Sequence, residues 1–84
     1  MATKVTVYGP GCAKCTQLEA AARKAVSDLG LEAEVEKVSD IVRIAQAGIL
    51  MTPALAVNGK VVLKGKAADA AEVANLITSE LDGS

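Results

Sequence analysis

The sequence predicts an α/β chain of order βαβαββα, a mixed four-stranded sheet with three helices. Thr3 to Tyr8 alternates β-branched or aromatic residues like a strand and runs through a short turn into a helical pattern. Asn58-Gly59, set between two short apolar runs, is the strongest short-range hairpin signal. After Gly65 the chain carries an amphipathic helix, so the hairpin is followed by a helix rather than by a further strand.

The elements follow in order. Val5 and Val7 share one face of the first strand, which Gly9-Pro10-Gly11 breaks. From Cys12 to Leu29 the spacing is helical: Leu18, Ala22, Ala25, Val26 and Leu29 form one apolar stripe, and Glu19 and Arg23 pair one turn apart outside it. Gly30 supplies the stop. Leu31 to Val38 reads as a second strand, with Leu31, Ala33 and Val35 on one face and Glu32, Glu34 and Glu36 on the other. That pattern does not suit a strand covered on both sides, so it is placed at an edge.

Ser39 or Asp40 caps a short helix through Ala47, Gly48 ends it, and Thr52-Pro53 leads into a third strand, Ala54 to Val57. Asn58-Gly59 turns the chain so that Val61 to Lys64 returns antiparallel, with Lys60, Lys64 and Lys66 blunting the exposed edge. In the last helix, Asp69 and Glu72 have capping-box spacing, and Val73, Leu76, Ile77 and Leu81 face inward. The helix between the first two strands makes them a parallel βαβ unit, and the hairpin completes the mixed sheet. No repeat or linker interrupts the pattern, so residues 1–84 read as one domain, with Met1-Ala2 and Asp82-Gly83-Ser84 as frayed ends.

Composition removes several functions. The chain has 84 residues, a formal net charge of −1, Tyr8 as its one aromatic residue and no histidine. Single-stranded nucleic-acid binders need stacking rings and a basic groove, so no nucleic-acid partner is expected. Without histidine there is no Ser-His-Asp or Cys-His catalysis and no zinc site of the mixed His and Cys kind. The N-terminus lacks signal-peptide regions and no apolar run is long enough to cross a bilayer, so a cytoplasmic protein without a membrane partner is expected. Paired cysteines in that compartment are seldom structural. Nothing resembles a strong interface, which suggests a monomer.

The two cysteines, Cys12 and Cys15, are the only ones in the chain. They follow a Gly-Pro-Gly turn and open a helix, where unpaired N–H groups and the positive end of the helix dipole favour a thiolate. Cys12 is the candidate nucleophile, with a pKa lowered below that of a free thiol, and Lys14 adds positive charge nearby. Cys15, one turn further on and better buried, suits a thiol that waits to resolve a mixed disulfide. In the cycle this implies, the Cys12 thiolate attacks a protein disulfide, Cys15 resolves the mixed disulfide, and a reductase or dithiol donor recycles the pair. No cofactor is needed and no metal is assigned. Three alternatives stand beside it. The pair could be inert and buried. It could serve as a module for soft metals or metalloids such as Cu(I), As(III) or Zn. It could act as a redox sensor without turnover. A metal-trafficking module of βαββαβ order would also place CxxC after its first strand, but the strand count here differs.

Gly11-Cys12-Ala13-Lys14-Cys15, Met51-Thr52-Pro53-Ala54 and the Asn58-Gly59 turn together resemble the small thioredoxin/glutaredoxin-like redox proteins of bacteria and archaea, over nearly the whole chain. The resemblance is nearest to the minimal branch with a GxGCxxC motif, which lacks the extra N-terminal strand and helix of full thioredoxins. It implies a thioredoxin-like fold and disulfide oxidoreductase activity. It further implies that Pro53 follows a cis peptide bond beside the cysteine pair, with the Thr52 backbone offering hydrogen bonds to an extended substrate. Ala13-Lys14 stands where thioredoxins have Gly-Pro, and Tyr8-Gly9-Pro10-Gly11 replaces the aromatic residue before their first cysteine. Lys64-Gly65-Lys66-Ala67-Ala68-Asp69 stands where glutaredoxins have a Gly-Gly with acidic residues, so glutathione binding is not carried over. The three lysines and the acidic run are expected to be solvated faces. Tyr8 is expected at the rim of the Cys12 loop rather than in the core.

Overall fold

In the computed structural model, residues 3–9, 13–30 and 32–83 are described. Gly11 and Cys12 of the predicted site lie outside the described residues, as do Pro10, Leu31 and the terminal Met1, Ala2 and Ser84. The elements are β1 (Thr3–Tyr8), α1 (Ala13–Leu29), β2 (Ala33–Val38), α2 (Ile41–Gln46), β3 (Ala54–Val57), β4 (Lys60–Lys64) and α3 (Ala70–Gly83). The strands lie in the order β2-β1-β3-β4, with β1 and β2 parallel and the other two pairs antiparallel. This is the thioredoxin fold, with β2 at the expected edge.

The period-two alternation of the strands separates two faces. Val5 and Val7 of β1 stand beside Val57 and Leu55 of β3 and pack with Leu18, Ala22 and Ala25 of α1 and Val73 and Ile77 of α3. The alanines keep α1 close to the sheet. On the opposite face, Val38, Ala54, Ile44 and Ile49 form a smaller cluster against which Tyr8 and Val61 pack. Tyr8 is therefore half buried against this second cluster rather than clear of the core. It points the other way from Val7 and is paired with Val38 and Ala54.

Local chemistry explains where the elements stop and start. Asp40, not Ser39, caps α2, its carboxylate accepting the Val42 N–H at 2.9 Å. Asn58 and Gly59 take the positive φ the hairpin needs, 52° and 87°. Asn58 also accepts the Lys4 N–H through its side chain at 2.9 Å and donates its own N–H to the Lys4 carbonyl at 2.7 Å, tying the hairpin to β1. Asp69 accepts the Glu72 N–H at 2.9 Å and starts α3.

Several expectations change in detail. The second strand begins at Ala33 rather than Leu31. Leu29 and Leu81 are 39% and 37% exposed. Both lie on the predicted stripes but in the last turns. Helix α1 is ~25 Å long at ~1.5 Å per residue, against ~20 Å for a six-residue strand, so its end overhangs. Helix α3 runs through Asp82-Gly83 instead of fraying there. The acidic face is partly paired, Glu36 lying 3.5 Å from Lys4 Nζ and 3.8 Å from Arg43 Nη2. Two of the three edge lysines face α3, Lys60 toward Glu80 at 3.4 Å and Lys66 toward Glu72 at 3.9 Å. The β3–β4 ladder shifts register between Leu55 and Ala56. Val62 is the extra residue, so Val62 and Leu63 both reach the main core while Val61 faces the smaller cluster.

Candidate active site

The end of β1 and the Thr52-Pro53 segment meet at one end of the sheet because of the β1–β3 register. The last pair is Tyr8 with Ala54, so one further step along the antiparallel ladder sets Gly9 opposite Pro53. Gly9 leads toward α1 and Pro53 ends the loop from α2, which brings the start of α1 and the Thr52-Pro53 turn together.

Cys15, three residues into α1, is fully buried. Lys14, beside it in sequence, is exposed, and the first turn of α1 holds no acidic residue to offset the positive end of its dipole. This end of the helix therefore favours negative charge. The Thr52–Pro53 peptide bond is cis. Pro53 is buried and Thr52 exposed. The Pro53 carbonyl accepts the Gly65 N–H at 2.8 Å. Gly65 has a φ of 80°, and a Cβ there would come within 2.8 Å of Met51 Cε. The positive φ is what calls for glycine here, since the exposed Met51 side chain can move aside.

Of the predicted site residues, Lys14, Cys15, Thr52 and Pro53 come to this end, and Gly11 and Cys12 lie outside the described residues. Sequence reasoning missed Gly9 as a site residue. It is buried against Cys15, and a Cβ there would overlap the Cys15 sulfur. Its place in Gly9-Pro10-Gly11 suggested only a strand breaker. Also missed was an apolar shelf beside Thr52, where Leu50 is 96% exposed and Ile41, Val42 and Met51 more than half exposed. Two hollows of about 250 and 260 Å³ open on it. One is lined by Ile41, Ile44, Leu50 and Thr52 among others, the other by Leu50, Met51 and Lys64 among others. The exposed Leu-Met step before Thr52-Pro53 was the available signal. A larger hollow, about 470 Å³ between α1 and the segment leading into α3, includes none of these residues.

Among the described residues no group of three or more His, Cys, Asp or Glu side chains could hold a metal ion. No described helix is long and apolar enough to cross a membrane.

Comparison with known proteins gives a consistent result. Residues 3–78 match a family model described as "Thioredoxin domain". The chain is 40% identical over 75 residues to a protein named thioredoxin from Methanothermobacter thermautotrophicus, covering 89% of this chain and 97% of that one. It is 35% identical over 79 residues to a thioredoxin from Methanocaldococcus jannaschii, covering 94% of this chain and 91% of that one.

Proposed function

This chain belongs to the thioredoxin family and is a thiol–disulfide oxidoreductase, and from that premise we propose that it reduces protein disulfides with Cys12 as attacking thiolate and Cys15 as resolving thiol. The Cys12 thiolate displaces one sulfur of the substrate disulfide, which leaves as a thiolate and takes a proton. Cys15 then loses its proton and attacks the Cys12 sulfur of the mixed disulfide, releasing the second substrate thiol. The substrate gains two electrons from the pair and two protons, one from Cys15 and one from solvent; a reductase or dithiol donor reduces the oxidised pair again, and the protein acts as a cytoplasmic monomer.

The observation that carries this reading is the burial of Cys15 at the end of the sheet where Thr52-Pro53 is exposed on one side and anchored on the other. A buried second thiol is kept from solvent and outside reagents, which suits a group that acts only after Cys12 has reacted. Lys14 and the uncompensated start of α1 support the thiolate. The Thr52 backbone and the shelf of Ile41, Val42, Leu50 and Met51 suit an extended polypeptide around the target cysteine. The test is reduction of insulin disulfides with dithiothreitol as donor. Cys12→Ser is expected to fall to the rate of dithiothreitol alone. Retention of wild-type rate by Cys12→Ser sinks the assignment.

A further inference from the structure

Gly9 has no conformational reason to be glycine. Gly30, Gly48, Gly59 and Gly65 occupy the left-handed region and Gly9 does not. Its N–H donates to the Val38 carbonyl at 2.9 Å, holding its backbone to β2 one step past the end of β1. What the position requires is space. A Cβ on residue 9 would stand 2.8 Å from the Cys15 Cβ and would overlap the Cys15 sulfur.

Cys15 has little freedom to yield. Cys15 is fully buried on the face of α1 that also carries Leu18 and Ala22, and helix geometry leaves a cysteine two of its three χ1 wells. A side chain at residue 9 would drive the sulfur out of its well or push the start of α1 away from the sheet.

We propose that Gly9 is a positioning residue for Cys15: its bare backbone is the seat of the Cys15 sulfur and so sets how readily Cys15 closes a disulfide with Cys12. The inference rests on the redox role given above to the two cysteines. Of the two states, the disulfide is the more demanding, because its dihedral and Cβ–Cβ separation are confined to narrow ranges. A thiol has no such requirement. Displacing the sulfur therefore destabilises the oxidised state more than the reduced one. The half-reaction stays the same, one disulfide taking up two electrons and two protons to give two thiols.

The test uses the full chain, wild type and Gly9→Ala, equilibrated in reduced and oxidised dithiothreitol, with the oxidised fraction read by mass after alkylation. The expected result is a tenfold or larger fall in the equilibrium constant for disulfide closure, a potential ~30 mV less negative. A residue that merely fills space would lower the melting temperature and leave that constant within twofold of wild type, and this outcome overturns the proposal. Unfolding supplies a second reading. Gly9→Ala is expected to destabilise a Cys15→Gly background, which lacks both the sulfur and the Cβ that the new methyl would meet, much less than it destabilises wild type; equal losses in both backgrounds overturn the proposal. If Gly9→Ala alone fails to fold, the Gly9→Ala/Cys15→Gly chain is expected to fold, and failure of both also overturns it. A wild-type chain that forms no disulfide in these buffers is a separate result, which removes the redox role and the inference together.

Discussion

The two faces of the sheet are built to different depths. Among the described residues, the face under α1 and α3 gathers twelve buried apolar residues into one cluster, whereas the face under α2 gathers four. The longer helices, of 17 and 14 residues, both cover the first face, and the six-residue α2 alone covers the second. Beside α2 the chain leaves Ile41, Val42, Leu50 and Met51 in solvent next to Thr52. The deep face carries the stability, and the shallow face leaves apolar surface available at the end of the sheet where Cys15 and Thr52-Pro53 lie.

Truncation on each face is the strongest way to break this contrast. Leu18→Ala, in the deep cluster, is expected to cost ~2–5 kcal/mol, a large part of the roughly 4–13 kcal/mol expected for a chain of this size. Urea unfolding reads it as a lower midpoint at unchanged slope. Ile44→Ala, in the shallow cluster, is expected at ~2 kcal/mol, the low end of the same range, because the short α2 has room to settle into the gap. An equal or larger loss at Ile44 would mean that the faces are not divided as described.

Smaller effects sharpen the division. Asp40→Ala removes the cap of α2 and is expected to cost ~1 kcal/mol by the same unfolding measurement. Leu50→Ser should leave stability within ~0.5 kcal/mol. It should lower kcat/KM several-fold for a protein disulfide and leave that for a small-molecule disulfide unchanged. An equal effect on both substrates would remove the shelf from the docking surface.

Local signals were the most legible part of this sequence. Asn58-Gly59, Gly30 and the alternation in Thr3 to Tyr8 act through the backbone conformation of a few adjacent residues, and each element they mark is present. Leu29 and Leu81 were placed on the right stripes, but their burial depends on how far a helix extends past the sheet, which periodicity does not contain. The extra residue Val62 depends on how β3 and β4 align. The place of Cys15 near the start of α1 is legible in its spacing and its position after a strand. The contact between Gly9 and Cys15 was not, because it arises only when α1 folds back on the end of β1. Tyr8 turned inward for a similar reason, since Val38, Ile44 and Ile49 come to it from distant parts of the chain.

The most direct test of the two-cysteine cycle is trapping. Cys15→Ser, mixed with a protein disulfide, is expected to accumulate a covalent adduct through Cys12, seen by mass and released by dithiothreitol, while Cys12→Ser forms none. An adduct formed through Cys15 in the Cys12→Ser chain, or no adduct with either variant, would contradict the assignment of Cys12 as attacking thiolate and Cys15 as resolving thiol.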